Sequence, residues 1–110
     1  MGNSSGEKSN MRILLMDGNI VLGSLAVLDV DMFWCECTFQ ATPAFQSVRR
    51  LFDEHARLRR AATTPDKEVQ AAERDAREHI AALGLHLQID GAVIRRFLIY
   101  IDGMDAGIRW

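Results

Sequence analysis

The chain has 110 residues, of which 48% are hydrophobic and 25% charged, with a formal net charge of −2. That length suits one domain around one core, and the composition is that of an ordinary globular protein, not a disordered or fibrous one. The slight acidic balance argues against a whole-surface commitment to nucleic acid, which needs a positive excess. No run approaches the ~20 apolar residues of a membrane-spanning helix.

Residues 1–10 (MGNSSGEKSN) are polar and contain no apolar stretch of the kind a secretory signal needs. They open Met1-Gly2, as a myristoylation signal does, but Gly6 stands where Ser or Thr is required. The expectation is a disordered leader over 1–10 and a single α+β domain over 11–110. Met11–Met16 reads as a first strand. Asp17-Gly18-Asn19 reads as a hairpin turn, because Gly takes positive φ without a Cβ clash, and Ile20–Leu28 as the return strand. Asp29-Val30-Asp31 is taken as the next connection. Met32–Phe39 then alternates, with Phe33, Cys35, Cys37 and Phe39 on one face and Trp34, Glu36 and Thr38 on the other.

Thr42-Pro43 signals a helix start, Thr as cap and Pro at the first helical position. Phe45, Val48, Leu51, Phe52, His55 and Leu58 recur at three- and four-residue spacing as one apolar stripe, opposite Arg49, Arg50, Asp53, Glu54, Arg57 and Arg60. Thr64-Pro65 repeats the start signal, followed by a stripe of Val69, Ala72, Ala76, Ile80 and Leu83 and a stop at Gly84. The short link between the two predicts an antiparallel helical hairpin. Leu85–Ile89 returns to a period of two, Asp90-Gly91 turns, Ala92–Ile101 reads as one long strand broken only by Arg95-Arg96, and Asp102-Gly103 turns into Ala106–Trp110. The predicted fold is α+β, a two-layer sandwich with an antiparallel sheet in βββ-αα-βββ order and the helical hairpin on one face.

The segment Thr42–Glu54, T-P-A-F-x-x-V-R-x-L-F-D-E, following an aromatic strand, resembles small uncharacterised bacterial α+β proteins with no assigned activity. The I-D-G turn and terminal aromatic of Tyr100–Trp110 are similar to the same group. The resemblance implies no catalytic residues.

Chemistry-bearing residues are few. Cys35 and Cys37, two apart in a strand, place their Cα atoms about 7 Å apart on one face, at the limit of a disulfide, which points to a reducing, cytoplasmic compartment. With His55 they are the candidates to line a pocket between sheet and helices, although a zinc site would need further ligands and a reactive thiol an electropositive setting. His79 and His86 read as boundary or surface residues. Asp29, Asp31, Glu36, Asp102 and Asp105 fit turn chemistry and match no calcium loop. Arg49, Arg50, Arg57, Arg59 and Arg60 read as a solvated helix face, interleaved with acids and without the aromatic platform of a nucleic-acid site.

No catalytic set and no cofactor or metal motif is present in the sequence, so the expected function is non-enzymatic. The chain reads as a cytoplasmic protein acting through protein–protein contact, as a homodimer or as a regulator or inhibitor of a larger protein. Met32, Trp34, Arg95, Arg96, Leu98, Tyr100 and Trp110 are the expected interface: large residues in excess of what one sheet face buries, and two adjacent arginines that must face opposite ways in a strand. The alternative is a small-molecule-binding domain or minor enzyme built on Cys35, Cys37 and His55. Nucleic-acid binding through the helix arginines comes third, and no membrane partner is expected.

Overall fold

The computed structural model describes residues 12–110, so the leader expected over 1–10 and the strand start at Met11 lie outside the described residues. The strands are β1 (Ile13–Asp17), β2 (Ile20–Asp31), β3 (Trp34–Ala41), β4 (His86–Ile89), β5 (Ala92–Ile94), β6 (Leu98–Asp102) and β7 (Asp105–Arg109), with helices α1 (Gln46–Ala61) and α2 (Lys67–Ala81) between β3 and β4. All seven strands form one antiparallel sheet in the order β5-β4-β1-β2-β3-β7-β6. Strands, two helices and strands follow one another as expected. The last block, however, holds four strands, because Ala92–Ile101 is not continuous.

That break decides the shape of the molecule. β5 and β6 are the two outermost strands, on opposite edges of the sheet, yet only Arg95, Arg96 and Phe97 separate them in the chain. Seven strands laid flat would put the edges about 29 Å apart. The chain from Ile94 to Leu98 reaches at most ~14 Å. The sheet must therefore curl until its edges nearly meet. The result is a half-barrel, not the flat layer of a two-layer sandwich.

The hollow of the half-barrel is filled from α1 and the single 3-10 turn before it, Pro43–Phe45. Phe45, Val48, Phe52, His55 and Ala56 are buried, while Leu51 and Leu58 are partly so, as the three- and four-residue spacing required. Phe39 of β3, Phe45 and Phe52 form a ladder of rings with centroids 4.9 Å and 5.5 Å apart. Ile13, Leu15, Leu22, Leu87, Ile101 and Ile108 close round it from five strands. Each large side chain fully buried in this way stabilises the fold by about 1.5–3 kcal/mol. The second helix is peripheral: Ile80 is its one buried residue, with Val69, Ala72 and Ala76 partly covered against α1.

Four local expectations are corrected. Asp29-Val30-Asp31 is not a connection; β2 runs through it, past a bulge at Leu28, and turns at Met32-Phe33, where Met32 takes a φ of 57°. The acids lie on the outward side of the ladder, so they need no turn to reach water. Phe33 therefore sits in the turn, exposed, instead of sharing the buried face of Cys35, Cys37 and Phe39. Thr42 does not cap a helix with its side chain. Its hydroxyl donates to the Val21 carbonyl at 2.5 Å and its backbone N–H to the Leu22 carbonyl at 2.9 Å, pinning the start of the helical segment to β2. Thr64-Pro65 does not start α2 either. Asp66 does, its carboxylate accepting from the N–H groups of Glu68 and Val69, since a charged acceptor suits the positive end of the helix dipole. Thr63 and Thr64 instead donate to the carbonyls of Arg60 and Ala61 at the end of α1.

Candidate functional site

Among the sequence-derived pocket residues, Cys37 is buried and Cys35 half-buried against the core. The Cys37 thiol donates weakly to the Cys35 carbonyl at 3.5 Å. Burial, with smaller contributions from Cys35 and the Glu36 carboxylate, pushes the Cys37 thiol up to about 11. It stays protonated at neutral pH, the wrong state for a nucleophile or a metal ligand. His55 is turned to the other helix: its Nε2 lies 3.1 Å from Glu73 Oε2, and its buried Nδ1 has no protein partner. Glu73 Oε1 in turn lies 3.8 Å from Arg77 Nη2. Neither the large cavity nor the shallow groove described below takes Cys35, Cys37 or His55 into its wall.

The acids do not assemble. Asp29, Asp31 and Glu36 share the outer face of the β2–β3 hairpin, whereas Asp102 and Asp105 flank the β6–β7 turn beside Thr38, where Asp102 pairs with Arg60. Among the described residues no group of three or more His, Cys, Asp or Glu is gathered as a metal site requires. The arginines of α1 are mostly engaged within the chain. Arg57 pairs with Glu54, holding that carboxyl below its ordinary range, Arg59 stacks on Tyr100 at 3.7 Å, and Arg49 lies over Phe45 at 5.2 Å. A shallow groove runs past Arg49, Arg50 and Arg57, with Asp53 and Glu54 interleaved.

The expected interface residues divide into two groups. Trp34 and Tyr100 are half-buried against each other on the outer face, ring centroids 5.8 Å apart. Met32, at the hairpin tip, is 82% exposed, and its neighbours Phe33, Leu28 and Val30 are 67%, 66% and 40% exposed. The hairpin is thus an arm with an apolar end and an acidic flank, where Asp29 stands directly across the ladder from Glu36.

Arg95, Arg96, Leu98 and Trp110 lie elsewhere, around a cavity of about 640 Å³ between the end of α2, the crossing segment 95–97 and the β6–β7 edge. Arg77 joins its wall from α2 and Arg109 from β7, so three separate segments bring four arginines to one opening. Ile80, Leu85, Phe97 and Ile99 supply the apolar wall. The cavity and the arm adjoin, since the Arg109 guanidinium also lies over the Phe33 ring at 4.9 Å. Sequence reasoning found Arg95 and Arg96 from the break they make in an apolar run. It missed Arg77, Arg109 and Phe97, whose convergence depends on the closure of the half-barrel and carries no local signal.

The chain matches no protein-family model, no curated protein and no solved structure. Among the described residues no helix is long and apolar enough to cross a membrane.

Proposed function

We propose that this chain works by protein–protein contact, without chemistry of its own, and that the β2–β3 arm is the part that engages the partner. The observation that carries this reading is that Leu28, Val30, Met32 and Phe33, within six residues at the tip of one hairpin, are all exposed. Large apolar residues exposed together on one short element point to an interaction site, whereas single scattered ones do not. The arm's flank specifies the partner further. Like charges directly opposed across a ladder are destabilising, and Asp29 faces Glu36 with Asp31 beside them. A cationic surface laid against that flank would relieve the repulsion. The partner therefore presents an apolar patch bordered by Lys or Arg, and a second copy of this chain is the first one to test. A reducing, cytoplasmic setting is part of the proposal.

The reading is tested by placing a photo-crosslinking residue at Phe33 in full-length protein produced in its native host, alongside light scattering of the purified chain at rising concentration. A single crosslinked species is expected, lost when Asp29 and Asp31 become Lys. Burying Met32 and Phe33 is worth about 1.5–3 kcal/mol each, so Met32→Ser with Phe33→Ser should weaken the contact roughly a hundredfold or more. No crosslinked species together with a strict monomer would sink the proposal. The nucleic-acid alternative gains no support from α1, where Arg49, Arg57, Arg59 and Arg60 already have intramolecular partners.

A further inference from the structure

We infer that the cavity between the end of α2 and the β6–β7 edge is a binding site for a small organic anion: one carboxylate, sulfonate or phosphate group carried on an apolar body. The site meets the arm where Arg109 lies over Phe33, but it does not rest on the reading above.

Three observations carry it. The first is charge. Arg77, Arg95, Arg96 and Arg109 line one opening, and the only acid within ion-pair distance of any of them, among the described residues, is Glu73, 3.8 Å from Arg77. A run of arginines on a solvated surface would be interleaved with acids, as on α1; here it is not. The end of α2 also lies in this wall, at Ile80 and Ala81, but a helix C-terminus carries only about half a negative charge. It accounts for one of the four cations at most. The second is chemistry. Guanidinium forks match carboxylate and phosphate oxygens two at a time and are the favoured groups for such anions. The third is shape. About 640 Å³ falls within the roughly 300–1,000 Å³ range of ligand sites, and the remaining wall is apolar, with Phe97 and Trp110 offering aromatic surface. Few polar groups converging on an apolar cavity orient a ligand by its head and hold it by its body.

The fold explains why such a place exists. Closing the sheet fully would have paired β5 with β6 and buried both edges. The chain instead crosses the gap through Arg95, Arg96 and Phe97, and both arginines stay exposed to it.

The test is titration of the full chain with 1-anilinonaphthalene-8-sulfonate, an aromatic body with a permanently charged head, followed by its fluorescence and by energy transfer from Trp110 in a Trp34→Phe background. Saturable binding of one probe per chain is expected. Arg95→Gln with Arg96→Gln should weaken it about tenfold or more, with circular dichroism unchanged because both side chains are exposed. Uncharged N-phenyl-1-naphthylamine should bind at least about tenfold more weakly than the sulfonate. Decanoate and decyl phosphate, added as competitors, should displace the probe, and their order identifies the preferred head group. Leu28→Ser with Met32→Ser, two exposed arm residues outside the cavity wall, should leave the titration unchanged, which distinguishes this site from the arm. The inference is overturned if the neutral probe binds equally well, if the arginine variant binds as wild type, if neither competitor displaces the probe, or if binding is lost with the arm.

Discussion

The ring of Tyr100 lies across Gly107, in the space that a β-carbon on residue 107 would occupy. The same ring also contacts Trp34 and the Arg59 guanidinium, so the glycine seats an aromatic cluster that joins β3, β6 and α1. Gly107→Ala should displace Tyr100 and cost about 1–3 kcal/mol, read from urea unfolding. Gly23→Ala should cost more. Its β-carbon would meet the core ring of Phe39 and stand 2.8 Å from the Gln40 carbonyl oxygen, which is backbone and cannot swing aside. Tyr100, half-buried, has somewhere to go. Equal costs would show that the outer aromatic cluster is as tightly constrained as the core.

A different asymmetry governs His55 and Glu73. The imidazole is buried with Nδ1 unpartnered, and Glu73 gives it its one side-chain partner at 3.1 Å. Removing the carboxylate leaves both ring nitrogens unsatisfied, so Glu73→Ala should destabilise by about 1–3 kcal/mol. Replacing both residues with apolar ones should cost less than that single change, because no buried polar group is then stranded. A double-mutant cycle by thermal or urea unfolding measures the difference.

Cys37 predicts an alkaline loss of stability. Its thiol is pushed up to about 11, from an ordinary value near 9, chiefly by burial. The unfolded chain therefore loses this proton first as pH rises, and the folded chain still holds it. Between those values the native state binds more protons than the unfolded state, so stability falls with rising pH and is unaffected by this group below pH ~9. The fall should be on the order of 2 kcal/mol by pH 11. Cys37→Ala removes this part of the slope, at the expense of a small cavity. Unfolding curves at pH 8 and pH 10.5 for both proteins check it, and a wild-type slope no steeper than the variant's would count against a buried thiol.

Asp66 caps a helix with little else to hold it, since Ile80 is the buried anchor of α2. Asp66→Ala should cost about 0.5–2 kcal/mol of local stability. The loss should appear first as faster amide exchange through Lys67–Ala81, with α1 still protected, because weakly buried elements open without global unfolding. Uniform loss of protection across both helices would show that they unfold as one unit.

Much of this fold is written locally and can be read so. The Asp-Gly pairs at 17–18, 90–91 and 102–103 each begin or form a hairpin turn, and Asp90 and Gly91 both take positive φ, at 52° and 91°. The stripe from Phe45 to Leu58 predicts which side of α1 is buried. Thr64-Pro65 is a misleading start signal, because the cap comes two residues later, from the hydrogen bonds of the Asp66 carboxylate. The extent of β2 was missed for the opposite reason: Asp29 and Asp31 look like turn residues, and only their pairing to β3 shows an extended arm. The anion site was legible in part, through Arg95 and Arg96. Its other half comes from Arg77 and Arg109, which no spacing rule links to them, because what brings them together is the curl of the sheet.

That curl has a consequence for how far the sheet can open. Its two edges are tied by Arg95, Arg96 and Phe97, and a taut chain of that length spans no more than ~14 Å. The edges can part only to that limit, unless β5 or β6 peels from its neighbour. Inserting glycines after Arg96 would raise the limit without touching the core, and deleting a residue would lower it. The tie acts as a ruler, and the greatest separation of the two sheet edges is encoded in a count of residues.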